Sequence, residues 1–533
     1  MKGSALLQKK TDGRYGEFRQ VAVFIGVLLV VRFLFLCMSP LELSPDEAYY
    51  WDWSRRLSLG YYSKPPMVAW LMALSTSILS TSEFAVRFPA VILNVLTAVA
   101  IYLTGRKMSG HKTGFLASLA YCSTIGAAVA GYIMTIDAPL LCFWALTLFF
   151  LWLAVERSIQ EEGASHSGLW IVSGIFCGLG LLSKQTMIAL SGAMALFFWA
   201  TNHGRNLLRQ RGPYLFYAFQ LLLLSPFLWW NYKHNWITFL HTAHHFEQAE
   251  KTSLLRVDTF LELLGTQAGL ITPLLYVVLM AGAVCIVWAA ITKSRYLGAL
   301  ESRKLLLVTI LSFSGLLPLL SVFLLSFKQR INANWPAPFY ISLSLLLGLW
   351  LSGFLQKGQG RRCQQIKGLF RPAVATGLIL VATLYVLPFV FTYTSLSGSS
   401  FDPTVRLRGW RQLAQETDGL LSSVPRKDKT IIVARRRQTV SELAFYMKDH
   451  PVVYRWNGFE RRIKSQYELW PGPVDKMGWD ALVVVAANKK LDGLERCFHS
   501  FSLLKQINID LGGTRKRIFN VYLGQGLSKW ARR

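Results

Sequence analysis

Apolar runs of about 20 residues, the length at which a helix crosses a hydrocarbon core, recur through the first 393 positions of this chain. Eleven are read, over 18–38, 84–105, 113–132, 136–154, 168–183, 186–201, 213–231, 268–291, 305–326, 335–355 and 373–393. With 53% hydrophobic and only 16% charged residues, the chain is too apolar for ordinary soluble domains. A net charge of +28 by itself would suit a nucleic-acid binder. Here the basic residues fall in the loops between apolar runs, which is the positive-inside pattern of an inner-membrane protein, so nucleic acid is not the expected partner.

Basic residues mark alternate loops: Lys2, Lys9, Lys10, Arg14 and Arg19 before the first run, then Arg106/Lys107/Lys112, Arg205/Arg209/Arg211, Lys293/Arg295/Arg303/Lys304 and Lys357/Arg361/Arg362/Lys367/Arg371. Those loops are expected to be cytoplasmic. An odd number of spans then places residues 39–83, residues 232–267 and the tail from about 394 on the opposite face. No small-residue cleavage site follows the first run, so it reads as a span and not as a cleaved signal. The seven cysteines, Cys37, Cys122, Cys142, Cys177, Cys285, Cys363 and Cys497, show no CxxC spacing and support neither a zinc knuckle nor a disulfide framework.

From Ser395 the pattern changes to short β-rich runs (Ile431–Val433, Pro451–Tyr454, Ala481–Val485) alternating with helix-like ones such as Ser441–Tyr446. A small α/β domain over 394–533 is expected, following a membrane domain over 1–393. The tail has neither GxGxxG nor GxxxxGK[ST], so nothing in it is read as a nucleotide site. It holds 25 basic and 13 acidic residues, a balance that suits either attraction to anionic headgroups or a solvated surface.

Chemistry-bearing residues crowd into the loop after the first run. Ser44-Pro45-Asp46-Glu47 reads as a helix start, with Ser44 as N-cap and Glu47 completing a capping box. On that reading alone, Asp46 and Glu47 complement the helix dipole and Asp52 pairs with Arg55 or Arg56. The alternative is a working carboxylate pair: with Tyr49, Tyr50, Trp51 and Trp53 it stands at headgroup level, where a lipid-borne substrate presents its polar end. In Gly60-Tyr61-Tyr62-Ser63-Lys64-Pro65-Pro66, the prolines can open a helix and leave Lys64 beside its N-terminus. Ammonium and helix dipole would then favour an anion such as phosphate, although a lysine snorkelling to the interface fits the same position.

These segments resemble the first loop of GT-C superfamily membrane glycosyltransferases: Asp46 to Trp51, Gly60 to Pro66, and Arg87-Phe88-Pro89. The branch most similar is the protein O-mannosyltransferase-like group that includes bacterial lipid A aminoarabinose and galacturonic acid transferases. Thr135-Ile136-Asp137-Ala138-Pro139, Leu182-Ser183-Lys184-Gln185, Trp230 to Trp236 and Asn334 to Pro338 resemble the same group. So do Arg406 to Trp410 and Ser441 to Tyr446 in the tail. The resemblance implies a mainly α polytopic GT-C helical bundle, of about eleven spans with juxtamembrane helices, carrying an extracytoplasmic α/β domain.

It also implies an inverting enzyme that moves a sugar from a polyprenyl phosphate to lipid A or another envelope glycolipid, with the active site and tail in the periplasm. The leaving phosphate gains charge in the transition state, so cations aimed at it carry the main burden of catalysis. Lys64 is the first such cation, with Tyr50, Tyr61 and Tyr62 placed at the donor by the motif. Arg87, Lys184, Lys233, Lys328 and Arg330 could bind substrate or merely anchor the chain at the interface. Asp46, which matches the family's first-loop acid, would take a proton from a hydroxyl acceptor, or orient an acceptor that is already an anionic phosphate. Asp137 opens an uncharged membrane run, where a carboxylate needs a role or a partner; an N-cap role is compatible.

His241, His244 and His245 would share one helical face, where a zinc site is conceivable and interfacial hydrogen bonding is the simpler reading. Some relatives have an acidic residue immediately before the lysine that corresponds to Lys64; Ser63 stands there here, so no metal is carried over and no cofactor is expected. Trp229, Trp230, Trp236 and Trp335 read as interfacial belt residues more than as sugar platforms. Protein O-glycosyl transfer is the runner-up function. A flippase or transporter is a third reading, against which the sequence shows no symmetric halves, and a non-catalytic scaffold is a fourth.

Overall fold

The computed structural model describes residues 2–160, 166–250, 255–293, 299–354, 361–459 and 463–530, with side chains from residue 16 onward except over 245–250, 293 and 299–302. Arg295 and Lys357 lie outside the described residues, as do the side chains of Lys2, Lys9, Lys10, Arg14, Lys293 and His245. The chain divides into two compact units, one of residues 1–37 and 87–384 and the other of residues 38–86 and 385–533.

The first unit is helical. Across the chain, seven helices among the described residues have the length and composition to cross a membrane: Gly16–Met38, Glu83–Ser109, Asp137–Gln160, Gly212–Lys233, Pro273–Thr292, Arg303–Ser326 and Arg361–Tyr393. Met67–Leu79, Ser167–Ser183, Gln185–Ala200 and Phe339–Leu351 are shorter apolar helices. The unit's core is built from residues such as Trp144, Trp152, Trp170 and Trp350, each 1% exposed or less. Small residues let its backbones approach closely; a Cβ on Gly348 would stand 2.5 Å from the Thr113 carbonyl oxygen.

Three expected spans are interrupted, each for a local reason. The run 113–132 splits into His111–Cys122 and Ile125–Ala130, because the Thr124 hydroxyl caps a new helix by accepting from the Ala127 N–H at 3.1 Å. The run 268–291 breaks at Thr272, whose φ of 77° ends the helix Val257–Ile271 before Pro273 opens the next. The run 335–355 becomes helical only at Phe339, after Pro336 and Pro338 have held the preceding residues in turns.

In the second unit, strands β1 (Thr430–Ala434), β2 (Val453–Arg455), β3 (Asp480–Ala486), β4 (Phe498–Asp510) and β5 (Lys516–Leu527) form one sheet in the order β2-β1-β3-β5-β4. β1 pairs in parallel with β2 and β3, while β5 runs antiparallel to β3 and β4. The expected runs 431–433 and 481–485 fall within β1 and β3, 451–454 overlaps β2 at Val453 and Tyr454, and the expected helix lies within Arg437–Tyr446. The β4–β5 hairpin is an addition, closed where Gly512 and Gly513 adopt φ of 91° and 55°. Much of β4 is exposed, so its residues lack the apolar run that marks β1 and β3.

The loop 38–86 belongs to this unit and not to the helical one. The Leu43 N–H donates to Tyr446 Oη at 2.6 Å, and the Trp410 N–H to Glu42 Oε2 at 2.6 Å. Trp51 packs edge-on against Phe445 with centroids 4.8 Å apart. Aromatic side chains that the sequence allows at a membrane surface are used here to bury the helix Pro45–Ser54.

Candidate active site

The helix Pro45–Ser54 begins as its residues dictate. The Glu47 N–H donates to Ser44 Oγ at 3.3 Å and the Ser44 N–H to Glu47 Oε2 at 2.9 Å, closing the capping box. Glu47 is fully buried in that role. Asp46, next to it, points outward with a 55% exposed side chain, and its Oδ1 lies 2.8 Å from Arg437 Nη2. The Arg437 guanidinium also stands 4.6 Å from the centre of the Tyr49 ring. Burial alone would lower the pKa of Arg437, and the Asp46 carboxylate opposite it outweighs that and raises it. Asp52 accepts from Arg55 Nε at 3.0 Å.

Asp46 opens into a cavity of about 840 Å³ that is also lined by Arg406, Arg436, Arg437, Lys516 and Arg517. Its floor is the crevice beyond the carboxyl ends of β1 and β3, where Ala486 faces Phe519 at the start of β5. Open α/β sheets habitually place ligands in such a crevice. Arg437 and this crevice are the parts of the site that reading the residues did not find. The signal was the resemblance carried by Arg406 to Trp410, part of the cavity wall, and by the neighbouring Ser441 to Tyr446 segment.

The tyrosines assigned to the donor are held inside the unit. Tyr61 is fully buried and stacks on Trp53 with centroids 4.4 Å apart, and its Oη contacts the Trp53 and Arg56 carbonyls at 3.1 and 3.2 Å. Tyr50 is 7% exposed and packs edge-on with Trp53. Tyr62 donates from its backbone to Gln466 Oε1 at 2.8 Å and from its hydroxyl to the Ile463 carbonyl at 3.2 Å. Burial raises the pKa of both Tyr49 and Tyr61. Lys64 is half-buried and stands just before Pro65 and Pro66, ahead of the helix Met67–Leu79, where the sequence places it.

A second group forms within the helical unit. Lys184 Nζ donates to Asp137 Oδ1 at 2.7 Å, and Asn334 Nδ2 donates to Asp137 Oδ2 at 2.7 Å. Three segments distant in sequence thus converge on one carboxylate at the first turn of the helix Asp137–Gln160. Asp137 and Asn334 also line a cavity of about 260 Å³ whose other walls are mostly apolar, among them Ile133, Leu141, Leu270, Ile271 and Leu279. A mostly apolar cavity with a few polar groups at one place is the usual form of a site for an amphipathic small molecule. Asn334 stands in a segment that carries the resemblance, but nothing local in the sequence gives it a role.

The remaining expected positions are spread through the helical unit. Arg87 is 2% exposed and donates from Nη1 to Tyr132 Oη at 2.6 Å, so it is a buried residue and not an interfacial anchor. Arg330 is exposed and donates from Nε to Glu262 Oε1 at 2.8 Å. Lys328 is exposed, and Lys233 lies over the Trp229 ring at 4.7 Å. His241 and His244 lie on the helix Ile237–Glu250, half-buried and exposed in turn. Trp229 and Trp236 are exposed, whereas Trp230 stacks on His234 with centroids 3.9 Å apart.

Comparison with known proteins places this geometry in a family context. Residues 63–230 match the model of the dolichyl-phosphate-mannose-protein mannosyltransferase family. Lipid A galacturonosyltransferase RgtD of Rhizobium johnstonii is 25% identical over 434 residues, covering 80% of this chain and 83% of that protein. Undecaprenyl phosphate-alpha-4-amino-4-deoxy-L-arabinose arabinosyl transferase 2 of Proteus mirabilis is 29% identical over 178 residues, 31% of either chain. Among solved structures, apo ArnT from Cupriavidus metallidurans superposes with a TM-score of 0.62 at 15% identity, covering 95% of this chain and 98% of that one. The same protein bound to undecaprenyl phosphate gives 0.60 at 16% identity, over 94% and 98%. The chain therefore has the fold of ArnT over nearly its whole length and is similar in sequence to RgtD over 80% of it.

Proposed function

We propose that this chain is an inverting glycosyltransferase that moves a sugar from a polyprenyl phosphate to a lipid A-type glycolipid on the periplasmic face of the inner membrane. The observation that carries the reading is the Asp137 carboxylate, fixed by Lys184 and Asn334 beside a mostly apolar cavity. A lipid-borne substrate with a polar head needs such a pairing of surfaces. RgtD, a lipid A transferase by name, is similar over most of the chain's length, and the ArnT fold holds undecaprenyl phosphate.

In the reaction, the bond from the anomeric carbon to the donor phosphate breaks as an acceptor oxygen bonds that carbon from the opposite face. Negative charge grows on the departing phosphate, and Lys64 is assigned to stabilise it. Asp46, exposed and oriented by Arg437, is assigned to the acceptor. It takes the proton of a hydroxyl, or orients a phosphate oxygen that has no proton to lose. Glu47 is left to its capping role, and no metal is assigned.

Transfer in inner-membrane vesicles tests this, using radiolabelled polyprenyl-phosphate sugars and a mixed lipid A and protein acceptor extract. Wild type would be compared with Asp46→Asn, Lys64→Ala and Asp137→Asn, with insertion of each verified. Label reaching lipid only with the wild type supports the assignment. The mannosyltransferase model match favours a second reading, protein O-glycosylation, which label on protein would select. Equal transfer by all four proteins would remove the assigned residues from the site.

A further inference from the structure

Beside the Asp46 cavity lies a smaller one of about 410 Å³, and the two share Arg436, Arg437 and Gln438. Six cations line the smaller cavity: Arg435, Arg436, Arg437, Arg455, Lys464 and Lys489. Among the described residues, no carboxylate lines it. The sheet explains the gathering. Arg435 follows the last residue of β1, Arg455 ends β2, and Lys489 lies just past the end of β3, so three parallel strands deliver their cations to one edge. Beyond the carboxyl ends of parallel strands is where such sheets bind ligands, and the helix opening at Arg437 adds its positive end.

The charge there is only partly neutralised. Arg437 is paired with Asp46, Arg435 with Asp492, and Arg455 Nη1 with Glu468 Oε1 at 2.7 Å. Among the described residues Arg436 and Lys489 have no ion pair, and both are exposed. Holding more cations than carboxylates at one edge costs free energy that an arriving anion offsets. Guanidinium groups in number favour a tetrahedral oxyanion over a carboxylate-poor neutral sugar.

The geometry points to a phosphate subsite: this cavity holds a phosphate of the acceptor's headgroup and thereby places the reacting oxygen at Asp46. The inference rests on the glycolipid reading above and adds what selects the acceptor. Arg436 and Lys489 supply the unspent charge, and Arg437 joins the subsite to Asp46.

The test is binding of fluorescently labelled, bisphosphorylated lipid A to the purified full-length chain in phosphatidylcholine nanodiscs, with fully dephosphorylated lipid A as the comparison. Arg436→Glu/Lys489→Glu should weaken the phosphorylated ligand by at least about tenfold and leave the dephosphorylated one unchanged. Lys427→Glu/Lys429→Glu places the same charge change at the opposite end of β1 and should alter neither. Inorganic phosphate should displace the lipid only at far higher concentration. Equal weakening by both variants, or of both ligands, overturns the subsite, as does no weakening. Displacement by inorganic phosphate at the lipid's own concentration would assign the cavity to the free ion and overturn the headgroup. Binding needs no transfer, so an inactive protein that still selects phosphate would sink the transferase reading alone. An active one with unaltered selectivity would sink the subsite alone.

Discussion

Arg437, the first residue of a helix in the C-terminal domain, holds Asp46, which lies in the first turn of the helix after the first apolar run. The pair is exposed enough that its worth to stability is about 0–1 kcal/mol. Its value is orientation. Asp46→Asn is therefore expected to cut transfer on the order of a hundredfold or more while the melting temperature in detergent moves little. Arg437→Gln should lower kcat by a smaller factor, with Arg437→Lys restoring part of it. Parallel losses of melting temperature and activity would make the pair a structural strut.

Asp137 has no such freedom, because its side chain is 15% exposed and that of Lys184 only 8%. Lys184→Ala leaves a largely shielded carboxylate with Asn334 alone and should destabilise the protein by about 1–3 kcal/mol, read as a lower melting temperature. Asp137→Asn/Lys184→Met removes both charges and should recover most of that stability without recovering transfer. Recovery of transfer as well would show that the pair serves only the fold.

Tyr61→Phe separates two roles of one side chain. Its hydroxyl accepts from the Ser58 N–H at 3.2 Å and can donate to only one of the Trp53 and Arg56 carbonyls. Losing it should cost about 1–2 kcal/mol of stability with the donor KM unchanged. A raised KM at unchanged stability would return Tyr61 to the donor site.

Gly348→Ala tests the close approach of Phe339–Leu351 to His111–Cys122. The added methyl would meet the Thr113 carbonyl oxygen at 2.5 Å and the Ala117 Cβ at 3.0 Å. The obstacle is partly backbone, so a helix must move, at a cost of about 1–3 kcal/mol. A melting temperature equal to wild type would contradict that packing.

Glu42 gives the C-terminal unit a pH dependence. Burial raises its pKa above the usual 4.5, outweighing the Trp410 and Arg411 N–H groups that favour the anion. A carboxyl raised on folding binds its proton more tightly in the folded state, so its contribution is fully present below the ordinary value and declines as pH rises through the raised one. Wild type minus Glu42→Gln melting temperatures, followed from about pH 4 to 8, should fall with rising pH. A flat difference would place Glu42 in water.

Several levels of this protein are written in local sequence. Long apolar runs need only their own length to announce membrane helices, and the strands β1 and β3 declare themselves because both faces are buried. The capping box at Ser44 and Glu47 is local too, since its hydrogen bonds close within one turn. The hairpin of β4 and β5 was hidden because its exposed residues carry polar side chains along with apolar ones, and its pairing is set by a partner strand.

Tertiary structure decided which of the legible residues work together. Asp46 and Glu47 are adjacent and chemically alike, yet one turns outward to Arg437 and the other is buried in a cap, because successive residues of a helix lie about 100° apart. Lys184 and Asn334 were visible as motif residues, but only helix packing brings both to the two oxygens of Asp137. The cations at the carboxyl ends of β1, β2 and β3 look like scattered surface charge in sequence. They become one edge because parallel pairing aligns the carboxyl ends of the three strands, a long-range relation that no local pattern carries.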